Sequence, residues 1–402
     1  MSSPEPPALS PASSISPRQL LADAQCVVIK CGTQILMGED GQLQKPRLTQ
    51  IVHECAQWHR QGKQLLMVTS GAVGLGQKTL GLKGALALDQ KQACAAVGQS
   101  QLMEIYRQLF DCHGIVTAQV LVTARDIADR RHYLTLQKTL KTLLEMNVIP
   151  IINENDTISD AELLPTAATQ SFGDNDKLSA ILASKINADV LILLTTVDGI
   201  YTDNPQHNPD ADRLAVIEGF EALQDVSVSG QSALGRGGMA TKIEAARIAA
   251  LSGVHTVISS GVEPQPLLRL LDVPSVGTFV VARASLQSRK RWLGFASGTM
   301  GALTINSGAA RALVHQQASL LAAGVTAVAG QFGPRQVVSI QTDQGDEIGR
   351  GLCHYSAEQM AKIVGRQSHE FDGLLGLTNA PAEVIHRDQL VLYDALYQSP
   401  DA

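Results

Sequence analysis

Six polar segments in the first two thirds of the sequence, five of them with at least one glycine, carry the side chains best suited to chemistry. Each follows a short apolar run or opens a helical pattern, and they cover residues 30–33, 69–76, 153–156, 173–177, 195–199 and 235–242. One such segment alone is weak evidence, because glycine turns are often structural and lone lysines are often solvated. Their repetition at strand ends is more informative, since open parallel sheets bind ligands beyond the carboxyl ends of their strands.

The residue types in these segments suit phosphoryl transfer. Glycine-rich turns and helix N-termini present backbone N–H groups to anions, and residues 235–238 precede a helical pattern. Lys30 and Lys242 could neutralise charge on a transferring phosphoryl group. A carboxylate between them, Asp174 or Asp176, could hold both lysines in place.

Common nucleotide-binding signatures are absent from the sequence. It contains neither GxxxxGK[ST] nor HRDxxxxN with DFG, which excludes a P-loop enzyme and a protein kinase fold. The glycines at 71–76 do not follow GxGxxG in the Rossmann register, and no acidic strand end lies about 20 residues further on. A dinucleotide site is therefore weakly supported.

Short apolar strands and longer amphipathic helices alternate along the chain and must position these segments. We predict strands at residues 26–29, 64–68, 117–122, 148–152, 190–194 and 256–258, and helices at 47–60, 90–110, 131–145, 178–185 and 239–251. This alternation is typical of an α/β protein with an open, mainly parallel sheet sandwiched by helices. The strands are almost continuously apolar, as expected for strands buried on both faces.

The sequence changes character after about residue 281. Strands predicted at 302–305, 324–328, 336–340 and 351–355, with one helix at 357–364, indicate a small, mainly β domain. We therefore expect a Pro/Ser-rich disordered tail at 1–20, an α/β domain at 21–285, a basic linker at 286–299, the β domain at 300–379 and a C-terminal extension at 380–402.

Taken in order, the polar segments resemble the amino-acid kinase family. The stretches that carry the resemblance are KCGT with Lys30, TSGAVGLG with Ser70, INEND with Asp156, FGDNDKLSA with Asp174, LLTTVDGIYT with Thr195 and GRGGMATK with Lys242. The resemblance runs from about residue 24 to about residue 388, and the C-terminal part resembles a PUA domain. The resemblance to the amino-acid kinase family is specific, because several independent motifs occur in the same order along the chain.

Within the family, the INEND and GDND motifs resemble those of the members that act on glutamate. The resemblance implies ATP-dependent phosphorylation of the L-glutamate γ-carboxylate to L-glutamyl 5-phosphate, the first step of proline biosynthesis. It implies that Lys30 and Lys242 contact the phosphates and that Asp176 holds these lysines. The implied glutamate site consists of Ser70, Gly71, Asn153, Asp156, Asp174 and Asn175. The implied ATP site consists of Lys30, Thr195, Thr196, Arg236, Gly237, Gly238, Met239, Ala240, Thr241 and Lys242.

The chemistry of these residues agrees with the implied roles. A substrate carboxylate with a reference pKa near ~4.3 is already ionised at neutral pH, so the transfer needs no general base. Asp156 suits a substrate that carries an α-ammonium group, and Ser and Asn side chains can donate to carboxylates. We expect Mg²⁺ to be held mainly by the ATP phosphates, with no metal ligand assigned to the protein.

Two residues on the nucleotide side depart from the family pattern. Thr196 stands where Asp is frequent, and Arg236 stands where Thr is frequent. Thr196 removes a carboxylate, whereas Arg236 adds a forked donor that could reach a phosphate. Both alternatives stay open: these two residues are variations that the site tolerates, or they change its affinity for the nucleotide.

The composition fits a globular protein with 402 residues, 45% of them hydrophobic, and a formal net charge of −6. This charge argues against a protein built mainly to bind polyanions. No apolar run approaches the ~18–20 residues of a membrane helix, so no membrane association is expected. The six scattered cysteines lack a CxxC pair, and the N-terminus lacks a secretory pattern, so we expect a cytoplasmic location.

The implied partners are glutamate, ATP, further copies of the chain in a dimer or tetramer, and the reductase of the next step. RNA binding is not expected, because residues 300–379 contain five Lys or Arg against six acidic residues. Two alternatives stay open: another amino-acid kinase, such as one that acts on N-acetylglutamate, and a catalytically inactive regulatory or RNA-binding homologue. The presence of Lys30, Asp176 and Lys242 argues against an inactive homologue.

Overall fold

The computed structural model describes most of the chain. The described residues are 16–38, 42–159, 175–203, 205, 208, 210–218, 238–272, 276–282, 299–316 and 318–392. Three predicted site residues, Asp174, Arg236 and Gly237, lie outside the described residues, as do residues 1–15, 286–298 and 393–402.

The first domain alternates strands and helices, as predicted. Its strands are β1 (Cys26–Cys31), β2 (Gln64–Val68), β3 (Thr117–Val122), β4 (Ile149–Glu154), β5 (Val190–Thr195), β6 (Ile200–Tyr201), β7 (Arg213–Leu214), β8 (Val216–Glu218), β9 (His255–Ser260) and β10 (Thr278–Val281). Its helices are α1 (Pro17–Asp23), α2 (Thr33–Leu36), α3 (Lys45–Arg60), α4 (Ala72–Thr79), α5 (Leu88–Asp111), α6 (Ala124–Ala128), α7 (Arg130–Glu145), α8 (Asn175–Ile186), α9 (Met239–Ala250) and α10 (Arg269–Asp272).

Eight of the described strands form one sheet in the order β3-β4-β2-β1-β5-β9-β10-β8. The first six in this order are parallel to their neighbours, and β10 pairs antiparallel to β9 and parallel to β8. Lys30 on β1 pairs with Val68 on β2 and with Leu193 on β5. The register thus brings the carboxyl ends of β1, β2, β4 and β5 to one edge of the sheet, as predicted from the polar segments.

Helices cover both faces of this sheet, which explains the nearly continuous apolar strands. On β1, Val28 packs in the core formed with α7, α8 and α9, whereas Val27 and Ile29 pack in the core formed with α3 and α5. All three side chains are fully buried. Strands with both faces covered favour β-branched and aliphatic residues, because neither face meets water.

The second domain is strand-rich. Its strands are β11 (Gly301–Ile305), β12 (Leu320–Leu321), β13 (Val325–Gly330), β14 (Val337–Thr342), β15 (Glu347–Leu352), β16 (Glu383–Ile385) and β17 (Leu390–Leu392). Its helices are α11 (Ser307–Gln316), α12 (Ala357–Ile363) and α13 (Phe371–Leu375). Five of the described strands form a sheet in the order β13-β11-β14-β15-β17. This agrees with the predicted small β domain after the α/β domain.

The second domain packs against the helix layer of the first. Val337 and Val391 of its sheet are buried in the core that contains α8 and α9. Burial lowers the pKa of Lys177 on α8, and the nearby Arg350 on β15 acts in the same direction. The second domain therefore lies beside the helix that carries Asn175 and Asp176.

The structure corrects several predicted boundaries. Residues 17–20, predicted within the disordered tail, belong to α1, whose first turn is capped because Ser16 Oγ accepts a hydrogen bond from the Gln19 backbone. The predicted C-terminal extension at 380–402 contains β16 and β17, and β17 joins the five-stranded sheet because its apolar residues are buried there. The strand predicted at 351–355 is β15, which ends at Leu352. It begins earlier in the sequence than predicted, because the hairpin turn before it contains Gly345, whose φ is +91°.

Two elements near the site differ from the prediction. Helix α4 occupies most of the segment interpreted as a glycine-rich turn, since only Gly71 in front of it has a positive φ. Helix α8 begins at Asn175 rather than at residue 178. No helix in the described part of the chain is both long and apolar enough to span a membrane.

Candidate functional site

The side chain of Asp176 joins two lysines from different parts of the chain. Lys30 on β1 places Nζ 2.6 Å from Asp176 Oδ1, and Lys242 on α9 places Nζ 3.1 Å from Oδ2. Asp176 is 0% exposed, Lys30 3% and Lys242 6%. The two lysines predicted from motifs far apart in the sequence therefore share one buried carboxylate, and Asp176 is the acid between them.

Local structure fixes the Asp176 carboxylate. Asp176 lies in the first turn of α8, where the helix dipole favours a negative charge. The Thr241 hydroxyl lies 3.0 Å from Asp176 Oδ2 and 2.9 Å from the Gly238 carbonyl oxygen, and these two acceptors share its single proton. The start of α9 is thereby tied to the start of α8 through a hydroxyl as well as through Lys242.

The charges of this cluster do not cancel. Within this group of three described side chains, two buried ammonium groups face one buried carboxylate, so the positive charges outnumber the negative charge by one. Burial makes an unbalanced charge costly unless an anion approaches it, and the reduced dielectric strengthens that attraction. The arrangement is suited to binding an anion that carries several negative oxygens.

A second group of polar side chains lies beside the first, around Asn175. Its Nδ2 atom lies 2.6 Å from the Thr69 carbonyl oxygen, 2.8 Å from Ser70 Oγ and 2.9 Å from Asn153 Oδ1. Asn153 is buried at the end of β4, and Ser70 directly follows β2. The structure therefore brings together Ser70, Asn153 and Asn175, all predicted for the glutamate site.

Gly71 turns the chain from β2 into α4. Its φ of +96° is a left-handed conformation that glycine adopts without strain. As the N-cap of α4 it has no side chain to bond the first N–H groups, which leaves them available to an anion. This N-terminus directly follows Ser70, so a hydroxyl and free backbone donors lie together.

Close contact between two glycines sets the position of α4. A Cβ atom on Gly76 of α4 would lie 1.9 Å from the Cys94 carbonyl oxygen, and one on Gly98 of α5 would lie 1.9 Å from the Ala72 carbonyl oxygen. Both helices can approach this closely only because these residues lack side chains. The contact fixes the helix whose N-terminus borders the site.

Asp156 lies in the turn after β4, three residues beyond Asn153 and half-buried. The turn is closed because the backbone N–H groups of Ile158 and Ser159 donate to the Asn155 carbonyl oxygen.

The residues predicted to bind the nucleotide lie at two strand and helix ends. Thr195 is the last residue of β5 and is buried, whereas Thr196 is exposed and lies 3.4 Å from Gln34 Oε1 through its hydroxyl. Gly238, Met239 and Ala240 open α9, which ends its first turn near Lys242. The end of β5 neighbours β1, which carries Lys30, and the start of α9 is joined to Lys30 through Asp176.

Gln99 was not among the site residues predicted from the sequence. This residue is 8% exposed on α5, and its Oε1 atom accepts a hydrogen bond from Asn153 Nδ2 at 2.9 Å. No motif marks it, and the only signal was a polar residue within the inward-facing side of a long helix. Thr241 was predicted for the nucleotide site, and the structure adds its hydrogen bond to Asp176.

The described residues contain no group of three His, Cys, Asp or Glu side chains arranged to hold a metal ion. The most buried carboxylate of the site, Asp176, is engaged by two lysines. Both oxygens of this carboxylate face ammonium groups, which would compete with a divalent cation for them.

Comparisons with known proteins agree with this architecture. Residues 25–259 match the amino acid kinase family, and residues 301–375 match the PUA domain. A glutamate 5-kinase from Methylobacillus flagellatus is 42% identical over 376 residues, which cover 93% of this chain and 99% of the relative. A glutamate 5-kinase from Shigella flexneri is 37% identical over 374 residues, which cover 92% of this chain and 100% of the relative.

Proposed function

The chain belongs to the amino acid kinase family, and from that premise we propose that it is a glutamate 5-kinase. It transfers the γ-phosphoryl group of ATP to the γ-carboxylate of L-glutamate and forms L-glutamyl 5-phosphate, the first step of proline biosynthesis. The observation that carries the proposal is the buried Asp176 carboxylate between Lys30 and Lys242. It supports a site in which two ammonium groups are held ready for phosphate oxygens.

The reaction needs positioning and charge stabilisation more than proton transfer. A γ-carboxylate oxygen of glutamate attacks the γ-phosphorus, the bond from that phosphorus to the β–γ bridging oxygen breaks, and ADP leaves with the electron pair. Because the carboxylate is ionised at neutral pH, no general base is required. Lys30 and Lys242 stabilise the negative charge on the phosphoryl oxygens, and Asp176 acts as a positioning residue for both lysines.

The glutamate site is proposed at the ends of β2 and β4. The Ser70 hydroxyl and the free N–H groups after Gly71 suit a substrate carboxylate. Asp156 suits the α-ammonium group, and Asn175, Asn153 and Asp174 complete the site. Two observations support this location: Asn175 contacts Ser70, and Asn175 directly precedes Asp176 in the sequence.

The nucleotide site is proposed between the end of β5 and the start of α9. Lys30, Thr195 and Thr196 would border it from the sheet side. The residues of the α9 side are Arg236, Gly237, Gly238, Met239, Ala240, Thr241 and Lys242. Arg236 would add a forked donor for phosphate, and Thr196 would replace a carboxylate by a hydroxyl.

Mg²⁺ is proposed to bind with ATP and to be held mainly by phosphate oxygens. When bound, it supplies positive charge that offsets the phosphate charge. The engagement of Asp176 by two lysines supports this assignment, because both oxygens of that carboxylate already contact ammonium groups.

We extend the proposal to the setting of the enzyme. The six cysteines are free thiols, four of them buried, which supports a reducing, cytoplasmic location. An acyl phosphate is prone to hydrolysis, so a reductase that consumes it promptly is the proposed next enzyme. A dimer or tetramer is proposed from the family resemblance.

The proposal is tested by trapping the acyl phosphate with hydroxylamine. Purified protein is incubated with ATP and Mg²⁺ and with glutamate, N-acetylglutamate or aspartate in parallel, and a reaction without ATP serves as the control. ATP-dependent hydroxamate with glutamate alone supports the proposal. Preference for N-acetylglutamate would overturn the substrate assignment, and no product with any substrate would overturn the kinase activity.

A further inference from the structure

We propose that Gln99 is a positioning residue of the amino-acid site. Its side-chain oxygen holds the Asn153 amide, and Asn153 in turn holds Asn175. The inference rests on the proposed function, because the effect expected from Gln99 is on the binding of a substrate that has an ammonium group and a carboxylate. None of the motifs that predicted the site includes Gln99.

The orientation of the Asn153 amide follows from a backbone group. The Glu154 N–H lies 2.9 Å from one polar atom of the Asn153 side chain. A backbone N–H can only donate, so this atom is the oxygen Oδ1. The other atom is Nδ2, which can only donate, and the atom of Gln99 that faces it at 2.9 Å is therefore the oxygen Oε1.

The orientation of the Asn175 amide follows from a second backbone group. The Thr69 carbonyl oxygen can only accept, so the Asn175 atom 2.6 Å away is Nδ2. The same Nδ2 faces Asn153 Oδ1 at 2.9 Å and Ser70 Oγ at 2.8 Å. One continuous chain of amides therefore runs from Gln99 through Asn153 to Asn175, with both orientations fixed by the backbone.

This chain sets the polarity of the surface offered to a substrate. With Nδ2 of Asn175 turned inward, its Oδ1 is the atom left to accept a hydrogen bond, and no described group donates to it. The Ser70 oxygen lies 2.8 Å from Asn175 Nδ2, which cannot accept, so the Ser70 O–H is left to donate elsewhere. An acceptor and a donor side by side match an α-ammonium group and a carboxylate.

Burial makes the contribution of Gln99 large. Gln99 and Asn153 are 8% and 2% exposed, so loss of the Gln99 oxygen would leave Asn153 Nδ2 buried without an acceptor. Gly98, the neighbour of Gln99, packs directly on the Ala72 carbonyl oxygen, so there is little room for this backbone to move towards α4. The backbone that carries Gln99 is thus part of the helix contact that positions α4.

The experiment replaces Gln99 by residues that differ in the acceptor. Gln99→Met keeps the length and removes the oxygen, Gln99→Ala is a smaller helix-forming residue in case Met does not fold, and Gln99→Glu keeps an oxygen acceptor. The control is Gln108→Met on the exposed side of the same helix. The KM for glutamate, the KM for ATP, kcat and the thermal unfolding temperature are measured for each variant with ATP and Mg²⁺.

We expect Gln99→Met and Gln99→Ala to raise the KM for glutamate by about tenfold or more, because a buried donor loses its acceptor. The KM for ATP should change little, Gln99→Glu should recover part of the glutamate affinity, and Gln108→Met should match the wild type. An unchanged glutamate KM in a folded Gln99→Met or Gln99→Ala variant, or an equal rise in both KM values, would overturn the inference alone. A wild-type protein that does not use glutamate would overturn the proposed function and this inference with it.

Discussion

Lys242 Nζ lies 3.1 Å from Asp176 Oδ2, although the two residues are 66 positions apart in the sequence. The contact joins the first turns of α8 and α9, two helices on one face of the parallel sheet. Lys30 reaches the other oxygen of the same carboxylate from β1. Three elements thus converge on a single buried carboxylate, and the account of catalysis depends on that convergence.

Asp176→Asn should abolish most activity and destabilise the fold. The amide keeps the shape but removes the negative charge that Asp176 provides to both buried lysines, and breaking a buried ion pair costs about 3–5 kcal/mol. Thermal and urea unfolding with kcat measurements test this. The control is Asp111→Asn, whose exposed ion pair with Arg107 should contribute about 1 kcal/mol or less. Equal stability of both variants would contradict the account.

Lys242→Met should reduce kcat while the KM for glutamate changes little. The substitution keeps the aliphatic length and removes a positive charge that stabilises the transition state, so kcat should fall by about 100- to 1,000-fold. Steady-state kinetics with hydroxamate detection measure it. Lys141→Met is the matched control, because Lys141 is exposed and lies 3.9 Å from Glu145. Unchanged turnover of Lys242→Met would remove Lys242 from the catalytic site.

Asp156→Ala should raise the KM for glutamate more than the KM for ATP. Its half-buried carboxylate lies in the turn after β4, on the proposed substrate side. Loss of a hydrogen bond to a charged group costs enough to raise KM by about tenfold or more. Both KM values are compared with those of Asp343→Ala, an exposed position in the second domain. Equal changes in both KM values would count against the assignment.

Gly98→Ala should destabilise the protein and weaken glutamate binding. The new Cβ atom would meet the Ala72 carbonyl oxygen at 1.9 Å and push α4 away from α5, at a cost of about 1–3 kcal/mol. Thermal unfolding and the glutamate KM measure the two effects. Gly373→Ala in α13 is the control, because a Cβ there meets no atom within 4 Å and should be neutral or stabilising. Two indistinguishable variants would refute the proposed helix contact.

Lys185 should make stability rise with pH above about 7. Burial, and then the charge of Arg130, lower the pKa of Lys185 to about 7, although the ammonium lies 3.3 Å from the Tyr133 ring centroid. Between that pKa and the ordinary lysine value, the unfolded chain binds a proton that the folded protein does not, so the free energy of unfolding increases with pH. Unfolding from pH 6 to 10 should show this rise in the wild type and in Lys141→Met, and a smaller rise in Lys185→Met. A rise of the same size in Lys185→Met would show that the Lys185 pKa is not lowered.

Strands with continuous apolar runs could be predicted from the sequence. The bounds of β2 and β3 agree with prediction to the residue, because turn residues flank short runs that suit only a strand. Strand β10 was missed, since its antiparallel pairing with β9 depends on a tertiary contact rather than on local pattern. The second domain was predicted too short for the same reason, because β17 is a short segment that is stabilised by pairing with β15.

The lysines of the site were predictable, but the geometry around them was only partly so. From the residues alone, Asp174 and Asp176 were equal candidates, and the contacts of Asp176 with both lysines identify it as the acid between them. Gln99 could not be predicted, because its role arises from a contact with Asn153 that is 54 positions distant. Spacing along one chain segment cannot reveal such a pair.

The measurement that tests the central claim most directly follows one oxygen atom. Glutamate labelled with ¹⁸O in its γ-carboxylate is incubated with ATP, Mg²⁺ and hydroxylamine, and the released phosphate is analysed by mass spectrometry. Hydroxylamine attacks the acyl carbon, so the account predicts that each phosphate released with the hydroxamate carries one ¹⁸O from the carboxylate, and that Lys242→Met yields almost none. Unlabelled phosphate alone from the wild-type protein would contradict transfer to the γ-carboxylate.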